Sequence, residues 1–337
     1  MKLWVGSYSA SGGRGLYPVT RSPAGDWSVG EPFEGAANAS FGTWSARHRL
    51  HYLVDEEAGL LVVYRHADDW RRLAVVPTGG SEPCHVSLSP DEAQLAVANY
   101  GDGSIALFSL DANTGLPSRP PDVHRNSGNG PHPDRQTGPH AHCVTFDPAG
   151  RWLYAADLGT DEILALPVES GLGEPRVAFR APPSSGPRHL MVHPSGDCCF
   201  LVSELASTLQ LLRRDGAGLT ALQSLSTLPD GAKEESLGGH LGINAGGNRV
   251  YVTNRGHDSI ATFAFEDGKL SPLQHQGSGG AAPRHFLLLE EQRMMVVAHE
   301  EGGNVTGFAL QGNGTLGRQI FDLAVPGAAF LFRDMAG

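Results

Sequence analysis

Residues 141–169 read AHCVTFDPAGRWLYAADLGTDEILALPVE. A short apolar run ends at a Pro-Ala-Gly turn. A second, more apolar run follows, then a polar residue, a short turn and a third run in which apolar residues alternate. Alternation bounded by Pro and Gly marks β-strands; helices would repeat their apolar residues every three to four positions. The same grammar returns at residues 83–111 (PCHVSLSPDEAQLAVANYGDGSIALFSLD), 187–215 (PRHLMVHPSGDCCFLVSELASTLQLLRRD), 238–266 (GGHLGINAGGNRVYVTNRGHDSIATFAFE) and 283–311 (PRHFLLLEEQRMMVVAHEEGGNVTGFALQ). A weaker copy, ASFGTWSARHRLHYLVDEEAGLLVVYRH, starts at Ala39. The interval is 58 residues from Pro90 to Pro148 and 46 from Pro148 to Pro194. A β-built repeat of this length implies a propeller, with four-stranded blades around a central channel.

Six copies are visible, and the ends supply a seventh. KLWVGSY and GLYPVTR near the start read as strands, and AAFLFRD near the end reads as a lone strand. Sharing one blade between the termini would close the ring and leave no open sheet edge. The expectation is an all-β chain, a single seven-bladed propeller over residues 1–337 with four-stranded antiparallel blades.

Composition agrees with this and narrows function. Of 337 residues, 44 are Gly and 23 Pro, spread along the chain as many short strands and tight turns require. The net charge of -11 disfavours nucleic acid and anionic membrane surfaces as partners. No apolar stretch approaches a membrane span, and MKLWVGSYSASGG lacks the apolar core of a secretory signal. The four cysteines, Cys84, Cys143, Cys198 and Cys199, form no C-x-x-C pair and read as reduced thiols. A cytoplasmic protein, monomeric or weakly dimeric, is expected.

Aligned on the turn, the copies yield two columns of varied polar residues. Eight residues before the turn stand Ser40, Cys84, His142, Arg188, Gly239 and Arg284; eight after it stand Glu56, Tyr100, Leu158, Glu204, Arg255 and Glu300. Purely structural positions would hold one residue type, so these are expected at one channel mouth. His85, His189, His240 and His285, with Cys143, follow the first column by one residue. Strand alternation turns them to the opposite face, where they would serve packing and blade-to-blade hydrogen bonds. Asp55, Asn99, Asp157, Ser203 and Asn254 are expected to fasten turns. The insertion before the fourth blade carries Arg135, Gln136 and His140, placed to cover the mouth.

The phrases DRQTGPHAHCVTFDPAGRWLYAADLGTDEI, GPRHLMVHPSGDCCFLVSEL and VYVTNRGHDSIATF together resemble the seven-bladed propeller lactonase family. That family includes the propeller-type 6-phosphogluconolactonases and the carboxy-muconate lactonizing enzymes. The resemblance spans nearly the whole chain. It implies a catalytic set of His142, Glu204, Arg188 and Arg255, with Arg284, His140, Arg135 and Gln136 as candidates for substrate binding. Only turns depart from the family pattern, in the sixth and seventh blades.

Hydrolysis of a cyclic ester needs an activated water, stabilisation of the carbonyl oxyanion and a proton for the leaving alkoxide. Histidine suits the first and last tasks. Arginine suits the second, and also binds phosphate or carboxylate bidentately. A small anionic lactone such as 6-phosphogluconolactone is thus the expected substrate, without a cofactor. Three rivals stand beside it. His132, His140 and His142 could hold a metal, but no third-ligand geometry is evident, and calcium would want more oxygen donors. A muconate-type cyclisation could use the same residues. A non-catalytic binding propeller is the third. No nucleotide-binding loop or G-x-S-x-G elbow is present.

Overall fold

The computed structural model describes residues 1–335. Seven four-stranded antiparallel sheets follow one another around a ring. In blade one, Ala328–Arg333 from the end of the chain pairs with Lys2–Ser7, which continues into Leu16–Arg21 and Trp27–Val29. Each later blade is continuous in sequence. Their inner strands are Gly42–Ser45, Pro83–Leu88, Ala141–Phe146, Pro187–Val192, Leu237–Ile243 and Pro283–Leu289, and neighbouring inner strands pack side by side. The expected architecture and ring closure are as observed. No helix among the described residues is long and apolar enough to cross a membrane.

The core is distributed between blades. A hydrophobic cluster fills each blade-to-blade interface, as where Leu50, Tyr52 and Val54 of blade two meet Val86, Val97 and Phe108 of blade three. The closing seam is no exception: Trp4, Leu16 and Phe330 pack on Leu53, Val62 and Tyr64. Full burial of one such aliphatic side chain is worth about 1.5–3 kcal/mol. Tyrosine hydroxyls tie blades in pairs. Tyr52, Tyr154 and Tyr251 donate to the carbonyls of Gly115, Gly216 and Gly314 in the following blade, at 2.6, 3.0 and 2.8 Å. Of the expected turn-fastening residues, Asp55, Asn99, Asp157 and Asn254 make such bonds, whereas the Ser203 hydroxyl is buried without a partner among the described residues. Asp157 Oδ1 accepts the backbone N–H of Gly159 and His140, both at 2.9 Å, and Asn254 Nδ2 donates to Ser259 Oγ.

One local irregularity matters most. Six inner strands break register near their starts, between Pro83 and His85, Ala141 and Cys143, Pro187 and His189, Gly238 and Leu241, Pro283 and His285, and Ala328 and Phe330. Cys84, His142, Arg188 and Arg284 are therefore bulge residues without a partner in the ladder. A bulge re-aims side chains at a strand end, and here it overturns the expected alternation. The histidine column does not face away from the channel. His85, His189, His240 and His285 meet one another and Phe41 across it: Phe41 lies 4.2 Å from His85 and 5.8 Å from His285, and His189 lies 5.3 Å from His240. Their expected hydrogen bonds between blades are present, since His85 Nδ1 accepts Val144 N–H and His285 Nδ1 accepts Leu331 N–H.

Candidate active site

The bulges stack two rings in the channel. The ring at the mouth consists of Ser40, Cys84, His142, Arg188, Gly239, Arg284 and, from the split blade, Ala329. Below it lie Phe41, His85, Cys143, His189, His240, His285 and Phe330. A small cavity between them is lined by Ser40, Cys84, His142, Arg188 and Arg284 on one side and by Phe41, His189 and His285 on the other. The second sequence column leans over it from the next strand of each blade. Tyr8 is the seventh member of that column, one residue beyond Lys2–Ser7. Its repeat is divided between the two ends of the chain, which hides it from an alignment of turns.

Glu204 is the hub. It is only 2% exposed. Its Oε2 receives Arg188 Nε at 2.9 Å and Arg255 Nη2 at 2.6 Å; its Oε1 receives Arg135 Nη2 at 2.6 Å. Burial alone would raise the Glu204 carboxyl, but the charges of Arg255 and Arg188, with His142 and Arg135, outweigh it and hold the group well below the usual carboxylate range. It is a fixed anion. Arg188 also donates to the Gly239 carbonyl at 2.8 Å and to His189 Nε2 at 3.0 Å. A side chain at Gly239 would collide with Thr253 Oγ1, so this column position has no room for one. Burial and the neighbouring Arg255 bring Arg188 down to about 10, and it stays charged at neutral pH. Arg255 Nε is buried with no partner among the described residues, an orphaned donor on a residue that lines the groove outside the channel.

His142 Nε2 lies 3.7 Å from Glu204 Oε2, too far for a hydrogen bond. Its Nδ1 is 3.8 Å from Cys84 Sγ. Burial and the charge of Arg188 push the imidazole well below its ordinary value, against the pull of Glu204. It is neutral at physiological pH.

The structure thus brings His142, Glu204, Arg188 and Arg255 together with Arg135, which reaches in from the insertion and also donates to Tyr100 Oη at 3.1 Å. Arg284 lines the same cavity but pairs with Glu300 at 3.0 Å. Two substrate-binding candidates fall elsewhere. Gln136 is fully buried; its Nε2 donates to Leu158 O and its Oε1 accepts His132 N–H. It braces the insertion and has no face left for a ligand. His140 stacks on Tyr100 at 4.6 Å, with Nδ1 2.8 Å from the Tyr100 carbonyl, and so shapes the rim. The three histidines His132, His140 and His142 are engaged separately: His132 Nδ1 accepts the N–H of Arg135. Among the described residues no group of three or more His, Cys, Asp or Glu is arranged to hold a metal ion. Outside the channel, a groove of about 590 Å³ runs past Arg255, Glu300, Glu235 and His132 and gives access to the mouth.

A closed seven-bladed ring thus carries a buried His–Glu–Arg constellation at one mouth. Known proteins share this architecture. The model of the family described as "Lactonase, 7-bladed beta-propeller" matches residues 2–332. A 6-phosphogluconolactonase of Bacillus subtilis is 29% identical over 261 residues, covering 76% of this chain and 72% of that protein. An uncharacterised protein of Lactococcus lactis is 30% identical over 337 residues, covering 96% and 97%. The solved structure of a periplasmic gluconolactonase of Pseudomonas aeruginosa superimposes with a TM-score of 0.89 at 28% identity, covering 98% of both chains. The chain belongs to the seven-bladed β-propeller lactonase family.

Proposed function

We propose that the protein hydrolyses a sugar lactone, with 6-phosphogluconolactone as the best-fitting substrate and the channel mouth as the site. The observation that carries this reading is the Glu204 hub. Three guanidinium groups converge on one carboxylate, so two positive charges are in excess around the buried Glu204. That surplus matches a phosphate dianion, or a weaker anion together with a developing oxyanion.

In this reading His142 moves the proton. Its neutral imidazole takes a proton from water as the water oxygen bonds to the lactone carbonyl carbon. Arg188 and Arg255 stabilise the carbonyl oxygen as it becomes an oxyanion. Collapse of the tetrahedral adduct breaks the bond to the ring oxygen, which leaves with the proton from His142. One lactone and one water become one hydroxy acid. Glu204 is too strongly held as an anion to serve as the base; it positions the arginines. An anionic substrate would raise the His142 pKa toward neutrality and make it a better base once the substrate is bound.

The test uses purified protein, lactones with and without phosphate, and correction for spontaneous hydrolysis. His142→Ala should lower kcat about 10²–10⁴-fold. Glu204→Ala should lower kcat/KM about 10²–10³-fold by releasing the arginines. Full activity in both variants refutes the mechanism, and no wild-type rate above background refutes the function. A phosphorylated substrate fits a cytoplasmic protein, whereas preference for unphosphorylated gluconolactone would favour the role named for the Pseudomonas relative.

A further inference from the structure

The second column contains two carboxylates that this mechanism leaves unused. Glu56 from blade two and Glu300 from blade seven stand across the mouth from Glu204. Tyr8 donates its hydroxyl to Glu56 Oε2 at 2.7 Å. Arg284 donates to Glu300 Oε2 at 3.0 Å and lies 4.9 Å over the Tyr8 ring. Burial keeps the Tyr8 phenol protonated, reinforced by Glu56 and Glu300 against Arg284. Among the described residues, neither Glu56 Oε1 nor Glu300 Oε1 accepts a hydrogen bond from the protein.

The ion pairs of the mouth are therefore divided by charge, while the groove outside them carries Glu235, Asp258, Glu300 and Glu301 beside Arg255. On the side of blades four to six, with Arg135, three arginines face one glutamate. On the side of blades one, two and seven, two glutamates face one arginine, and the sign reverses. The cavity between is shared, because Arg188 and Arg284 both line it.

We propose that Glu56 and Glu300 recognise free hydroxyl groups on the lactone ring, so that the substrate is polyhydroxylated and carries its anionic group only at the arginine end. This rests on the lactonase reading and sharpens it. A carboxylate oxygen with no protein donor takes a charge-assisted hydrogen bond from a sugar hydroxyl. It repels a second carboxylate, which disfavours muconate-type lactones. Lactones without hydroxyls leave both acceptors unmatched, and a site built for hydroxyls rejects such analogues strongly.

The experiment measures kcat/KM of the wild-type protein, Glu56→Gln and Glu300→Gln on glucono-δ-lactone, δ-valerolactone and a carboxylate-bearing muconolactone. Each variant should lower the ratio of glucono-δ-lactone to δ-valerolactone activity by about tenfold or more, and should raise activity on muconolactone relative to δ-valerolactone. Because every readout compares substrates on one preparation, incomplete folding of a variant cancels. Unchanged ratios in both variants overturn the inference and leave the lactonase reading intact. A wild-type protein that hydrolyses none of the three, nor a phosphorylated lactone, overturns that reading and the inference with it.

Discussion

Two rings lie one residue apart in the chain and differ in almost every respect. The ring at the mouth holds Ser40, Cys84, His142, Arg188, Gly239, Arg284 and Ala329: seven blades, six residue types. The ring beneath holds four histidines, two phenylalanines and Cys143, all flat or small, and its aromatic members pack stacked, tilted or edge to face across the channel. Neighbours in sequence have thus been assigned opposite tasks. In the proposed function the upper ring supplies chemistry and holds a different residue in almost every blade; the lower ring plugs the channel and must fit as a set. The bulge makes this possible, because it points both residues inward where regular pleating would send one of them away.

Three perturbations should separate the rings, in decreasing order of effect. Phe41 touches His85, His189, His240, His285 and Phe330. Phe41→Ala should cost about 3–5 kcal/mol of stability, read by urea unfolding, with turnover per folded molecule reduced far less than in His142→Ala. An equal loss of turnover would mean that the plug itself takes part in catalysis.

Acid should act on the lower ring next. Burial and the Arg188 charge lower His85 and His285 to about 3, and His189 and His240 also lie well below their ordinary value. The unfolded chain takes up these protons near pH 6.5 and the folded chain does not. Stability is then complete above 6.5 and is lost as pH falls toward the folded values. One pH unit below 6.5 the loss is about 1.4 kcal/mol per histidine. Urea midpoints measured between pH 7.5 and 5 should fall steeply, and a flat profile would show that the ring histidines titrate in the fold as they do in the unfolded chain.

Arg135 offers the smallest effect. Its side chain is 34% exposed, against 3% for Arg188, so its ion pair is partly screened by water. Arg135→Ala should raise KM by roughly a few-fold and leave kcat nearly unchanged, which steady-state kinetics will show. A large fall in kcat would place Arg135 at the reacting carbonyl rather than at the substrate's anionic end.

Much of this is legible in the chain itself. Repetition exposes the blades. Equivalent positions in a ring face a common axis, so the same repetition sorts His142, Arg188, Glu204 and Arg255 into two columns. What escapes has physical causes. The bulge adds a residue without any special composition, so the histidines at 85, 189, 240 and 285 look like the outward half of a regular strand. Gln136 has the chemistry of a binding residue, and only burial reveals it as a brace. Tyr8 belongs to a repeat whose first strand lies more than 300 residues away in the chain, and so has no turn to be aligned on.

That same split repeat bears on how the protein comes into being. Arg284 rests on Tyr8, and Tyr8 is held at the mouth by a strand whose inner partner is Ala328–Arg333. A chain emerging from the ribosome can form blades two to seven in order, each from local hairpins. Its mouth stays incomplete until the final strand docks beside the first. The mouth is therefore complete only where the two ends of the chain meet in one blade.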